Sequence, residues 1–92
     1  MPVETDIADP IAVRIVADLH KSSLAVLGLL TEGMRNKDIA AQMGTTEQVI
    51  KNRLRNAYNA TGMSSRLELA LFVLAHPMLR QAADEALRTR LA

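Results

Sequence analysis

Residues 36–60, NKDIAAQMGTTEQVIKNRLRNAYNA, hold a short helix pattern, a turn signal and a longer helix pattern in succession. The first part has apolar residues at the spacing of one buried helix face, and Gly44 follows as a residue that can end a helix in the left-handed conformation. Thr45 or Thr46 can then cap a helix that runs to about Ala60. Two helices joined by so short a turn are typical of a helix-turn-helix motif.

Helix signals also precede this motif. Asp9 and Pro10 are typical of a helix start, and we predict helix over residues 11–19, although apolar residues alternate there as they do in a strand. A further helix is predicted over about 21–32, and Gly33 is placed to end it. Two helices are therefore expected before the motif.

The motif is followed by two more helix patterns. Ser65 and Glu68 form a capping box for a helix that reaches Ala75. Pro77 prevents that helix from simply continuing, and residues 78–92 again carry apolar side chains at helical spacing.

These patterns predict an all-α fold, a four-helix core with an N-terminal segment and a C-terminal helical extension. A length of 92 residues suffices for one domain. We assign residues 1–18 to an N-terminal extension, 19–76 to the helix-turn-helix domain and 77–92 to a C-terminal helical extension. Leu24 lies off the inward stripe of its helix, so it is either exposed or in contact with an extension.

Composition excludes several classes of function. The chain has no Cys and no Trp, one Tyr and one Phe, which excludes disulfides and Cys-ligated zinc and disfavours stacking platforms for single-stranded nucleic acid. His20 and His76 are far apart in sequence, and no catalytic triad, glycine-rich phosphate loop or paired carboxylates are present. We therefore expect no enzyme activity, no metal and no cofactor. No apolar run reaches the roughly 18 residues of a membrane span and no signal peptide is visible, so a cytoplasmic protein without a membrane partner is expected.

The net charge of +1 conceals an uneven distribution. Four acidic residues against one arginine give residues 1–18 a net charge of −3, whereas six basic against two acidic residues give residues 34–66 a net charge of +4. Such a cluster is either a solvated helix face or a surface for an anionic partner.

The faces of the long helix can be derived from its periodicity. At about 100° per residue, Ile50, Leu54 and Ala57 fall on one stripe that must face the core. The opposite face holds residues that can hydrogen-bond to base edges or phosphates, namely Gln48, Asn52, Arg55 and Asn59, with Lys51 beside them. No acidic residue interrupts this face, and Glu47 lies at its edge. The face is therefore a candidate for insertion into the major groove of DNA.

Four short segments resemble one known family. They are residues 26–30 (VLGLL), 33–40 (GMRNKDIA), 45–53 (TTEQVIKNR) and 62–66 (GMSSR). Their spacing is similar to that of the LuxR-type (GerE/FixJ-like) helix-turn-helix DNA-binding domain, whose pattern runs L-T-x-R-E-x-E-V-L-x-L, G-x-S-N-K-E-I-A, I-S-x-x-T-V-K-x-H and G-V-x-x-R. The resemblance extends from Leu19 to about Ala75, roughly two thirds of the chain.

The sequence departs from the family pattern at several positions. Ser22 and Ser23 replace an Arg-Glu pair, and Ala25 replaces a second Glu. Arg35 replaces a helix-capping Ser, so that Asn36 is left to cap one residue later. The family His is Arg53, which the helical geometry turns away from the outward face, and it ranks below Lys51 and Arg55 as a DNA contact. The N-terminal changes weaken the arguments about stability more than those about DNA binding.

The resemblance implies roles for individual residues. Lys51, Asn52 and Arg55 occupy base-reading positions, and Gln48 shares their face. Positions that approach phosphates at helix N-termini are those of Asn36, Lys37 and Thr46, and Asn59 is assigned to phosphate from its place on the outward face. Arg66 matches a family arginine whose role is either structural or phosphate-directed.

The last helix of the domain carries two apolar stripes. Leu69, Phe72 and Val73 form one, which suffices for the core. The second consists of Leu67, Ala70, Leu71 and Leu74, and the equivalent helix is a dimer seam in the family. The stripe is therefore either a homodimer interface, to which the tail could contribute, or is covered by the tail or the N-terminal segment.

Our main hypothesis is a sequence-specific, double-stranded DNA-binding transcriptional regulator that acts as a homodimer, with residues 46–60 as recognition helix. The alternative is a protein-interaction adaptor that keeps the scaffold without specific DNA binding. The residues ahead of the domain are too few for a receiver or ligand-binding domain. We therefore expect either a standalone regulator, controlled by expression, dimerisation or a regulatory protein partner, or a fragment of a larger one.

Overall fold

The computed structural model describes residues 9–91, which form six α-helices and no strand. The helices are α1 (Pro10–Asp18), α2 (Lys21–Leu30), α3 (Asn36–Met43), α4 (Glu47–Thr61), α5 (Arg66–Ala75) and α6 (Pro77–Leu91). The predicted all-α helix-turn-helix fold is confirmed, and the strand alternative for residues 11–19 is wrong. The part of the acidic N-terminal segment before residue 9 and the last residue of the tail lie outside the described residues.

Most helix ends lie where the sequence predicts them. The Asp9 carboxylate accepts the Ala12 N–H at 3.0 Å, and Thr46 Oγ1 accepts the Val49 N–H at 3.2 Å. Gly44 adopts a left-handed φ of 66°, which a side chain would strain, and thereby ends α3. α4 is shifted by one residue from the predicted range 46–60, since Thr46 is its cap and Thr61 its last residue.

Three predicted helix ends differ in detail. α2 ends at Leu30 and not near residue 32, because the N–H groups of Glu32 and Gly33 bond to carbonyls three residues back. Asn36 does not cap α3: Arg35 is the N-cap, without a side-chain bond. At α5, Ser65 Oγ accepts the Glu68 N–H at 3.1 Å as predicted, but Glu68 returns its bond to the N–H of Ser64.

The core is built around α2, in which every residue from Ser22 to Leu30 is buried. α6 packs along α2 more extensively than any other pair of helices packs. Gly28 permits this approach, because a Cβ there would lie 3.3 Å from the backbone oxygen of Ala83. Leu24 is buried in this region, so the prediction of contact with a terminal extension is correct and exposure is wrong.

α1 completes the core from the other end of the chain. It packs against α6 and touches α4, with Ala12 and Ile15 buried. Asp9 Oδ2 lies 2.8 Å from His76 Nδ1, which ties the start of α1 to the junction of α5 and α6. Residues of both predicted extensions share one hydrophobic core with the helix-turn-helix domain. The division of the sequence into residues 1–18, 19–76 and 77–92 stays a prediction. No helix in residues 9–91 combines the length and the apolar character that a bilayer span requires.

Candidate nucleic-acid interface

The long helix α4 separates a buried stripe from an exposed polar face. Ile50, Leu54 and Ala57 are buried against the core. The side chains assigned to the outward face are all exposed, namely Gln48, Lys51, Asn52, Arg55 and Asn59. The helical geometry therefore places the candidate base-reading side chains together on one open surface.

Two of these side chains are joined to each other. Gln48 Nε2 donates to Asn52 Oδ1 at 3.1 Å, a contact between successive helical turns. One acceptor site of Asn52 is thereby used, while its amide N–H groups stay free to donate. The pair consequently presents Asn52 outward mainly as a hydrogen-bond donor.

Asn56 is a surface residue that the sequence reasoning missed. It is exposed on α4 and lies four residues after Asn52, about 40° away around the helix. The periodicity that selected Asn52 and Asn59 also selects this position. Asn56 extends the polar face toward the C-terminal half of α4.

The beginnings of three helices meet beside this face. Asn36 and Lys37 begin α3, Glu47 begins α4 and Arg66 begins α5, and these four residues line one shallow depression with Arg35. Lys37 is exposed, and so is Thr46 ahead of α4. Helix N-termini and cations together favour an anion, although Glu47 opposes it.

Arg66 is held by two hydrogen bonds at the edge of this depression. Its Nη1 donates to Asn36 Oδ1 at 2.7 Å and its Nη2 donates to the Met34 carbonyl at 2.5 Å. The side chain is half-buried, and these bonds tie the start of α5 to the segment between α2 and α3. This geometry supports the structural role that the sequence left open and fixes the side-chain oxygen of Asn36.

The remaining cations near the face differ in their surroundings. Arg53 is half-buried, and its Nε has no hydrogen-bond partner among the described residues. Arg35 is strongly exposed and lies 3.5 Å from Asp38. The ion pairs found within residues 9–91 involve neither Lys51 nor Arg55. Both cations therefore present their charge to solvent.

Two carboxylates have shifted pKa values, and both act at helix starts away from α4. The pKa of Asp9 is lowered by the Ala12 N–H and by the imidazole of His76. The pKa of Glu68 is lowered by the N–H and the hydroxyl of Ser64. Both carboxylates stabilise helix starts in their ionised form.

The second apolar stripe of α5 is open to solvent. Leu67 is 69% exposed, Leu71 55% and Leu74 41%, while Ala70 is half-buried. Leu69 and Val73 of the other stripe are fully buried. Coverage of the second stripe by the tail is wrong, because α6 packs on α2 instead. Met78 at the start of α6 is also exposed.

Comparisons with known proteins agree with this geometry. Residues 19–73, more than half of the chain, match the family described as "Bacterial regulatory proteins, luxR family". The response regulator Rre1 of Synechocystis sp. is 36% identical over 62 residues, which cover 67% of this chain and 27% of the relative. The transcriptional regulatory protein YdfI of Bacillus subtilis is 34% identical over 55 residues, 60% of this chain and 26% of the relative.

The chain spans about a quarter of the length of these two relatives. No solved structure matches it significantly. The family match includes α2 to α4 and most of α5, which are the helices that form the polar face, the depression and the apolar stripe. The chain therefore belongs to the luxR family of bacterial regulatory proteins.

Proposed function

We propose that the chain is a sequence-specific, double-stranded DNA-binding transcription regulator that binds as a homodimer. The observation that carries this proposal is the exposed face of α4, which holds amides and cations and no acidic side chain inside a luxR-family helix-turn-helix. The major groove of B-DNA admits one α-helix, and its base edges offer partners for these groups.

Each side chain of the face has a chemical role in this proposal. Lys51 and Arg55 suit the guanine acceptors O6 and N7. Asn52 donates to a base acceptor and is oriented by Gln48 through their 3.1 Å hydrogen bond. Asn56 extends the same contact surface. These residues supply the sequence preference.

A second group of residues would fix the register on the backbone. Lys37 and the hydroxyl of Thr46 are placed to meet phosphate oxygens, as are the amide N–H groups of Asn36 and the side chain of Asn59. Arg35, exposed at the same depression, joins this group. Arg66 acts mainly through Asn36, because it holds that side chain at 2.7 Å.

The homodimer is proposed to form through the open stripe of α5. A second copy that covers Leu67, Leu71 and Leu74 would remove apolar surface from water. The two copies of α4 would then enter successive major grooves about 10 base pairs apart. A nearly palindromic binding site follows from the two-fold symmetry.

Selection of bound duplexes from random DNA, followed by fluorescence anisotropy at several salt concentrations, tests this function. We expect enrichment of two related half-sites and an affinity that falls steeply as salt rises. Arg14→Ala on α1 removes one exposed arginine outside the proposed interface and should leave the binding unchanged. A folded protein that shows no salt-dependent DNA binding would refute the proposal and favour the adaptor.

A further inference from the structure

A cavity of about 570 Å³ lies between the start of α2 and the last turns of α6, outside the proposed DNA surface. Its apolar lining is formed by Leu24 of α2 and by Ala82 and Ala86 of α6. Leu24 is buried, whereas the two alanines are half-buried and too small to fill the space in front of it. The volume falls in the range of sites that hold small organic molecules.

The rim of this cavity is rich in hydrogen-bond donors. Lys21 stands at the start of α2, and Thr89 and Arg90 stand near the end of α6. His20 Nδ1 accepts the Ser22 N–H at 3.1 Å, which leaves Nε2 of this imidazole for another partner at the rim.

One acidic side chain, Glu85, also lines the cavity. Its Oε1 lies 2.6 Å from Nη2 of Arg88, which offsets its charge. The cavity therefore combines an apolar floor with two cations and neutral donors. This combination complements a molecule that carries one anionic group on an apolar body, because an inorganic anion would leave the floor unused and a neutral alcohol would leave the cations unused.

We propose that this cavity binds a small amphipathic carboxylate, such as a medium-chain fatty acid. The alkyl chain lies on Leu24, Ala82 and Ala86, and the carboxylate accepts hydrogen bonds from Lys21 and Arg90. Because these two cations belong to different helices, the ligand joins the beginning of α2 to the end of α6. A ligand held in this way stabilises the packing of α6 on α2 in the folded state.

Titration of the whole chain with sodium octanoate, followed through methyl NMR signals, tests the site. We expect saturable shifts at Leu24, Ala82 and Ala86, with a dissociation constant of about 1 mM or tighter. Lys21→Ala and Arg90→Ala should each weaken binding by about tenfold, since each removes a charge-assisted hydrogen bond. Arg14→Ala is the matched control and should bind as the unchanged protein does.

Two further measurements separate this site from unspecific binding of an amphiphile. Acetate and 1-octanol should each bind at least about tenfold more weakly, because each lacks one half of the recognised chemistry. Ala82→Leu should fill the cavity and abolish the shifts. The proposal would be overturned by shifts confined to Leu67 and Leu71, or by a response that does not saturate. It would also be overturned if Lys21→Ala bound octanoate with the affinity of the unchanged protein. None of these outcomes depends on DNA binding.

Discussion

Arg66 shows how one side chain can shape the proposed DNA surface while it acts mainly inside the protein. Its guanidinium bridges the Met34 carbonyl and the amide oxygen of Asn36, two groups that lie about thirty residues earlier in the chain. A planar guanidinium can make both bonds at once, which a lysine ammonium does with less geometric definition. The residue consequently fixes the start of α3 relative to the start of α5.

Arg66→Ala is expected to destabilise the fold by about 2 kcal/mol, since two charge-assisted hydrogen bonds are lost. Arg66→Lys should recover part of this loss. Urea denaturation measures both variants. A stability equal to that of the unchanged protein, accompanied by a flatter salt dependence of DNA binding, would show instead that Arg66 serves as a phosphate contact.

The Gln48–Asn52 pair permits a prediction about base preference. Reading adenine with both amide atoms requires Asn52 to use its oxygen and its nitrogen together. Gln48→Ala frees the occupied acceptor site and lets the Asn52 amide reorient, so preference for adenine at the contacted base pair should rise by about 1 kcal/mol. Anisotropy with duplexes changed at single positions measures this shift.

Asn59→Ala is the control for that experiment. As a phosphate contact it should weaken all duplexes alike. A uniform loss for Gln48→Ala as well would show that the pair does not set base preference.

At the scale of helices, the close packing of α2 on α6 depends on Gly28. The nearest atoms to a Cβ at this position are Ala83 O at 3.3 Å and Leu87 Cδ2 at 3.4 Å. The first belongs to the backbone and cannot move aside alone, whereas the second ends a flexible side chain. Space therefore exists for a methyl group at most, and a larger side chain must separate the helices.

Gly28→Leu should lower the free energy of unfolding by about 3 kcal/mol, because overpacking forces α6 away from α2. Gly28→Ala is the matched control. Its better helix propensity, worth about 1 kcal/mol, offsets the tight contact and leaves the stability nearly unchanged. If Gly28→Leu were as stable as the unchanged protein in urea denaturation, the result would contradict the observed packing.

Two carboxylates at helix starts make the stability of the fold depend on pH in the acid range. The pKa values of Asp9 and Glu68 are lower in the folded chain than their ordinary values of about 4. Their ionised carboxylates therefore stabilise the fold fully above the ordinary pKa values. This stabilisation is lost as the pH falls through the lowered pKa values of the folded chain. We expect the Tm to fall as the pH drops below about 4. Asp9→Asn combined with Glu68→Gln should flatten this decline, and an unchanged slope would rule out both groups as its cause.

At the scale of the whole molecule, the apolar stripe of α5 is the surface best suited to a second copy. Leu71→Glu should yield a monomer in sedimentation equilibrium and weaken DNA binding, because a charge would be buried at the seam. The stability of the monomer should change little, since Leu71 is more than half exposed. Val13→Glu introduces the same charge at an exposed apolar residue of α1 and should leave the association unchanged. A dimer that persists in Leu71→Glu would place the interface elsewhere.

The sequence predicts the local parts of this molecule better than the contacts between them. Caps such as Thr46 and stops such as Gly44 depend on neighbouring residues, and the face of α4 follows from helical periodicity alone. The long packing of α6 on α2 could not be predicted, because helical spacing shows that a face is apolar and does not identify its partner. Arg66 was left undecided for the same reason, since its hydrogen-bond partners lie some thirty residues away.

Within the candidate site, the features that the sequence did not predict were missed for different reasons. Asn56 could have been found from the periodicity that identified Asn52. In the sequence, Arg35 stands out only as the replacement of a helix-capping serine. Its position beside the starts of three helices follows from the folded structure. The pairing of Gln48 with Asn52 depends on side-chain rotamers, which sequence spacing permits without specifying.

The central claim is that α4 reads DNA sequence while the start of α3 holds the backbone. Fluorescence anisotropy of Arg55→Ala and Lys37→Ala on a selected and a scrambled duplex tests it most directly. Arg55→Ala should lose about 1–3 kcal/mol on the selected duplex alone, whereas Lys37→Ala should weaken both duplexes alike and flatten the salt slope by about one. Equal losses on both duplexes for Arg55→Ala would contradict the account.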